Sequence, residues 1–271
     1  MTCTNCNSKM VGKFCHNCGQ KQFSESDKDI KSFFSEAFHF ITHFEGTFFT
    51  TLKAVLFEPG KLSVDYCNGI RKKYYKPISF FMLLVVLYLL FPFMEGMNMQ
   101  MKYYKSLSFS GNTITQQIQE KAAALQISEE ALSEIFHQKS EKVSKVLLFL
   151  LLPFTAIILA LLPPYKRKNR FYDIFILSTE INIIVLLQLF FIIPFLYFLF
   201  IQFGITKDSQ DAIAPISGMV FAFYLILIFR KFFKIKWLFC AFITLVFLFL
   251  YAIITQVVYK FLLFQIVIQL I

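Results

Sequence analysis

Five long apolar runs, almost bare of charge, recur along this chain at 77–94, 146–164, 174–201, 212–230 and 237–259. Each is close to the ~20 residues that a helix needs to cross ~30 Å of hydrocarbon at ~1.5 Å rise per residue. Water would be a poor solvent for such a chain. Apolar residues make up 57% and charged residues only 16%, where a soluble domain carries about 25% charged. Mean hydropathy is +0.60. Too few polar side chains remain to coat a soluble globular enzyme, and disordered or disulfide-scaffold classes are excluded as well. The runs are continuous rather than alternating, which selects helices over barrel strands. Pro153 and Pro194 lie inside runs, where neighbouring helices can satisfy the freed carbonyls. The expected class is therefore an all-α membrane protein of about five transmembrane helices, with the lipid bilayer as its first partner.

Basic residues set the expected orientation. Arg71, Lys72, Lys73 and Lys76 precede the first run. Lys166, Arg167, Lys168 and Arg170 follow the second, and Arg230, Lys231, Lys234 and Lys236 follow the fourth. The connection between the third and fourth runs carries Lys207 beside Asp208 and Asp211. The positive-inside rule then places the N-terminus in the cytoplasm and the C-terminus outside. Arg71, Lys72 and Lys73 are the expected lipid-headgroup contacts. Met1 to Gln20 is polar and Cys-rich, so the first span is expected to act as an uncleaved targeting signal. Residues 95–145 form an external helical connection, in which Ser128 before Glu129 and Glu130 is an N-cap with acids in the first turn. That helix reads as one that runs straight into the second span. From Trp237 to Ile271 is about 50 Å of helix, too long for one crossing. Phe261 to Ile271 is expected to lie along the interface or to pack on the bundle.

Cys3, Cys6, Cys15 and Cys18 are spaced C-x2-C-x8-C-x2-C. Two such pairs supply the four thiolates of a tetrahedral zinc ribbon, expected over residues 1–22. Asn7 and Gly19 stand after the second Cys of each pair, where the knuckle turn calls for positive φ. A segment this short lacks its own core, so the structural Zn2+ would supply its folding free energy. Paired redox dithiols and iron are the alternative uses of the same spacing. Thiolates persist in a reducing cytoplasm, the side that the charge rule gives the N-terminus. Cys67 and Cys240 stand alone.

Net charge is +10, yet a nucleic-acid surface is not expected. Residues 1–65 hold seven Lys and seven acids, so the ribbon region is neutral and the excess lies in the membrane-flanking clusters. A neutral ribbon points to a protein partner at the cytoplasmic face. Residues 23–76 read as linker and amphipathic juxtamembrane helices: Ile30, Phe33, Phe34, Ala37, Phe38, Ile41 and Phe44 follow helical spacing. Glu36, His39 and His43 share the opposite side and could hold a second metal. A further helix spans about Thr47 to Phe57 and ends at Pro59-Gly60, and another short one leads to Asn68-Gly69.

This N-terminal third of the chain resembles a known family. The double C-x2-C ribbon ends Cys18-Gly19-Gln20, and Thr51-Leu52, Pro59-Gly60, Tyr66, Gly69, Arg71, Tyr74 and Pro77 then lead into the spans. The pattern is similar to that of an uncharacterised bacterial family of zinc-ribbon multi-pass membrane proteins, known only as a domain of unknown function. The resemblance covers residues 1 to about 90. It implies the bacterial cytoplasmic membrane as location and implies no activity. His16 stands where Pro is usual in the family, and Asn7 where Gly is usual.

Within the bundle, residues 77–271, Glu180 and Asn182 form the candidate intramembrane polar site, because a carboxylate in a span is a functional candidate by default. At 100° per residue they point to opposite sides, so no polar stripe forms. Glu180 is expected to reach the headgroups or to pair with Lys166, Arg167 or Arg170. Met94, Met97, Met99 and Met101 make a soft cluster beyond the first span, suited to Cu(I) or to a flexible apolar lip. No nucleophile elbow, phosphate loop or metalloprotease motif occurs, nor do paired carboxylates within a span, and no catalytic residue is assigned. The favoured function is a non-enzymatic membrane protein whose ribbon recruits or regulates a partner. A small transporter or channel subunit using Glu180 and a metal-dependent membrane enzyme are the alternatives.

Overall fold

The apolar runs are helices in the computed structural model, which describes residues 2–3, 6–9, 11–12, 14–18, 46–90, 98–105, 111–162, 171–202 and 213–271. The stretch from Ile30 to Phe44 with Glu36, His39 and His43 lies outside the described residues. So do Gly19, Met94, Met97, the cluster Lys166, Arg167, Lys168 and Arg170, and the Lys207–Asp211 connection. Two units result, Met1–Phe49 and Thr50–Ile271. Residues 50–76, expected to belong to the linker and juxtamembrane helices, fall within the second unit.

Four helices are long and apolar enough to cross a membrane. Before them come α1 (Gly46–Phe57), α2 (Lys61–Cys67) and α3 (Pro77–Leu90). Next are α4 (Met101–Lys105), α5 (Gly111–Leu125) and the long α6 (Glu129–Leu161). The bundle is completed by α7 (Phe171–Gln202), α8 (Ile213–Phe233) and α9 (Trp237–Leu270). At 14 residues α3 spans only about 21 Å.

Proline explains two irregular turns. A 3-10 turn at Leu148–Leu150 precedes Pro153, whose ring would clash with the carbonyl of Phe149 in a straight helix. A π-turn at Gln188–Ile192 precedes Pro194 for the same reason, the carbonyl at risk being that of Phe190. The π-turn at Ile254–Tyr259 forms with no proline nearby.

The first part of α7 is the axle of the bundle. Ile176 through Leu187 are buried without interruption, the signature of a helix enclosed on all sides. It packs against α2, α3 and the second half of α6. Tyr88 of α3 stacks on Phe190 of α7 at 3.8 Å. The outward faces of α8 and α9 present Ile216, Met219, Phe223, Leu238, Leu245 and Phe249, each more than half exposed. A belt of that kind would be a liability in water and is ordinary in lipid.

Beyond the bundle, α4, α5 and the first half of α6 form a cap with the last eleven residues of α9. Tyr104, Phe136 and Phe264 make its aromatic core, with centroids 5.3–5.7 Å apart. The Tyr259 hydroxyl donates to the Ser144 carbonyl at 2.7 Å, and Lys139 Nζ donates to the Leu270 carbonyl at 2.5 Å. Asn98 ties in the chain after α3: its Oδ1 accepts from Ser140 Oγ at 2.8 Å. The tail expected on the interface or the bundle continues α9 beyond the π-turn at Ile254–Tyr259 and packs on α6 through Leu263, Phe264, Val267 and Ile268. Met101 is buried in the cap with Tyr104.

Candidate functional site

The two candidate sites lie in different units and are built independently. In the first, the Cys3–Ser8 turn closes with Asn7 N donating to the Cys3 carbonyl at 2.9 Å and Cys3 N to the Ser8 carbonyl at 2.9 Å. Asn7 sits at φ 57°, the left-handed conformation that this turn requires. Cys3 Sγ lies 3.5 Å from Cys18 Sγ, and Cys6 Sγ lies 3.6 Å from Cys15 Sγ. All four sulfurs fall within 4.8 Å of one another. Thiolates at ~2.3 Å from a tetrahedral ion stand ~3.8 Å apart, so the set fits and could hold a metal ion. The Ser8 hydroxyl bridges Cys6 at 3.0 Å and Cys15 at 3.1 Å. Its hydrogen bonds pull the Cys6 thiol down to about 6 and the Cys15 thiol down to about 7. Thiolate, the ligating form, is thus available near neutrality. His16 is exposed. Between Cys6 and Cys15 in sequence, Val11 and Phe14 are 84% and 61% exposed.

The second site begins with a helix that cannot cap itself. Gly60 is the N-cap of α2 and offers no side-chain acceptor, so the first N–H groups of Lys61–Cys67 need one from elsewhere. Glu180 supplies it from α7. Its Oε1 accepts from Gly60 N at 2.9 Å, and its Oε2 accepts from Ser63 N at 2.8 Å and from Ser63 Oγ. The carboxylate is fully buried, and its position at a helix N-terminus matches the positive end of the helix dipole. The geometry is that of a capping box whose Glu comes from another helix, 117–120 residues away.

Pro59-Gly60 makes this approach feasible. Gly60 has φ 75°, and a Cβ there would lie 3.2 Å from both Cα and O of Ile228 in α8. The turn is therefore pressed between α7 and α8. Tyr224 of α8 donates to the Val55 carbonyl at the end of α1. Tyr74 donates to Asp65 Oδ2 at 2.6 Å, and Tyr75 N donates to Thr51 Oγ1 at 2.8 Å. Residues 50–76 are thus latched to α7 and α8 at several points.

Glu180 and Asn182 do not converge. Asn182 faces α6: its Nδ2 donates to the Ser178 carbonyl at 2.8 Å, and its Oδ1 accepts from Thr155 Oγ1 at 3.4 Å. The expected partners Lys166, Arg167 and Arg170 lie outside the described residues, and the partners observed for Glu180 are backbone N–H groups and one serine. Arg71, Lys72 and Lys73 are exposed. Arg71 lies over the rings of Tyr66 at 5.4 Å and Tyr172 at 5.6 Å, and Lys73 lies 3.9 Å from Asp65. Burial and the neighbouring Asp173 push the Cys67 thiol up to about 12, which makes it an unreactive thiol. Sequence reasoning did not name Gly60 and Ser63 as functional residues; the missing N-cap acceptor after Pro59-Gly60 is the signal that points to them.

Residues 45–89 match a family model described as a protein of unknown function (DUF3667). The matched stretch runs through α1, α2 and nearly all of α3, the segment that Glu180 and Tyr224 hold. No curated protein and no solved structure matches the chain.

Proposed function

We propose that this is a non-enzymatic integral membrane protein whose N-terminal four-cysteine module holds zinc and recruits a protein partner. One observation carries the reading. A metal cage of four thiolates displays Val11 and Phe14 largely to solvent, and exposed apolar side chains on so small a module mark a contact surface. Zinc is favoured over iron because a closed set of four thiolates with structural purpose is its usual site. The balance of seven Lys and seven acids over residues 1–65 favours a protein partner over nucleic acid.

Five crossings are the topology we favour, with the N-terminus in the cytoplasm and the C-terminus outside a bacterial cytoplasmic membrane. Support comes from the two ends of α3. Its start adjoins Tyr75 and, like α2, it packs against the N-terminal half of α7, whereas Asn98 is bonded to Ser140 in the cap. A crossing by α3 would join these two sides. Four helices between residue 129 and residue 270 also return the chain to one side, in keeping with the cap contacts.

Transport through Glu180 has less support, since both its oxygens are engaged by α2 and Asn182 faces another helix. The test is affinity capture of partners from membranes, comparing the native chain with Cys3→Ser/Cys6→Ser and with Val11→Ser/Phe14→Ser. Loss of the same partner in both variants, with zinc retained in the second, is the expected result. A partner set untouched by either pair would remove the recruiting role.

A further inference from the structure

An open cleft of about 760 Å³ lies where α8 ends and α9 begins, lined by Phe57, Glu58, Pro59, Arg230, Lys231 and Lys234, with Leu227 and Ile235 completing its wall. Its volume is within the ~300–1,000 Å³ typical of small-ligand sites. One side is apolar, with Phe57 74% exposed. The other carries three cations against a single carboxylate. That carboxylate, Glu58, is already paired with Lys61, whose hydrogen bond holds it below the usual carboxylate range. The cleft therefore presents net positive charge beside exposed hydrocarbon.

Its position matters as much as its charge. Arg230, Lys231 and Lys234 close an apolar helix long enough to span, and Trp237 opens the next one. That is headgroup depth for any membrane that covers the apolar belt. Arg230 stacks on Trp237 at 4.3 Å, which fixes the guanidinium plane at the rim. Lys234 sits at φ 55°, where its N–H donates to the Arg230 carbonyl at 3.0 Å and ends the helix. Glycine is the usual residue at such a helix end. A lysine there accepts backbone strain and adds a third cation to the cleft.

From this arrangement we infer that the Phe57–Lys234 cleft is a binding site for the phosphate-bearing headgroup of an anionic phospholipid. Lys231 and Lys234 meet the phosphate and acidic headgroup, while Phe57 and Leu227 meet the upper acyl chain. Phosphatidylcholine fits less well, because its choline adds a cation to an already cationic site.

Trp237 is the chain's single tryptophan and stacks on Arg230 of the cleft wall, so its fluorescence reports occupancy. The full chain is reconstituted in phosphatidylcholine vesicles containing a minor fraction of brominated phosphatidylglycerol or brominated phosphatidylcholine. The expected result is stronger quenching by the anionic lipid. That preference should fall by about fivefold for each lysine removed in Lys231→Gln and Lys231→Gln/Lys234→Gln, and persist in the charge-matched control Lys102→Gln/Lys142→Gln. Equal quenching of the native chain by the two lipids overturns the proposal without recourse to any variant. An equal loss in the control variant overturns it too, by reducing the effect to bulk charge. Inorganic phosphate is the last arm: if it displaces the brominated anionic lipid, the site serves free phosphate and the lipid assignment falls.

Discussion

Replacing Glu180 with Gln asks whether this buried carboxylate is there to hold α2. Native Glu180 offers two acceptor oxygens to Gly60 N, Ser63 N and Ser63 Oγ. Gln keeps one oxygen and turns an NH2 toward the remaining N–H, so a buried donor faces a donor. An unsatisfied buried group costs about 1–3 kcal/mol, which corresponds to a roughly 5- to 150-fold rise in the opening of α2. Glu180→Ala removes both acceptors and leaves a cavity, so its effect should exceed that of Gln. Ser63→Ala deletes one hydroxyl bond and should cost about 1 kcal/mol. Hydrogen exchange of the detergent-solubilised protein reads these losses locally, since exchange tracks local opening free energy. Residues 60–68 should lose protection in the order Ser63→Ala, Glu180→Gln, Glu180→Ala, while Leu263 to Ile268 in the cap stay protected. Unchanged protection at 60–68 in Glu180→Gln would refute the capping argument and free Glu180 for another role.

Gly60→Ala should lower the melting temperature more than Gly69→Ala. Both replace a glycine at positive φ, costing about 1–2 kcal/mol, but only the Gly60 Cβ meets Ile228, and a Cβ at Gly69 meets open space; thermal unfolding of the two variants measures the difference. Tyr104→Phe should be neutral or stabilising by up to about 1 kcal/mol in the same assay, because the Tyr104 hydroxyl is buried and has no hydrogen-bond partner among the described residues. For the metal-free ribbon, thiols held at about 6 and about 7 are ionised above those values and protonated below them. Metal uptake, followed by a chromogenic zinc indicator, should therefore be full at pH 8 and weaken as pH falls through 7 to 6, and Ser8→Ala should move that loss to higher pH.

The apolar runs made the spans legible, because a continuous run of about twenty residues has one stable solution in lipid. Their ends were less legible. The tail after Tyr259 keeps helical geometry as part of α9 because α6 covers Leu263, Phe264 and Val267, and that cover comes from residues more than a hundred positions away. Ser128 did announce the start of α6: its Oγ accepts from Ala131 N at 3.2 Å, a local rule that needs no tertiary partner. Glu180 was legible as unusual but not in what it holds. Charge spacing pointed to lysines and arginines, whereas the observed acceptor contacts are to backbone N–H groups exposed by a glycine N-cap. The four cysteines were readable as a ligand set because knuckle spacing fixes thiolate geometry locally; the Ser8 bridge between Cys6 and Cys15 was not.

Two helices, α6 and α9, each run about 50 Å, and each carries an irregular turn, Leu148–Leu150 in α6 and Ile254–Tyr259 in α9, near the place where it passes between the bundle and the cap. Mid-helix turns of this kind serve as joints. A displacement of the cap is then taken up first at these two turns, before it disturbs the buried halves of either helix.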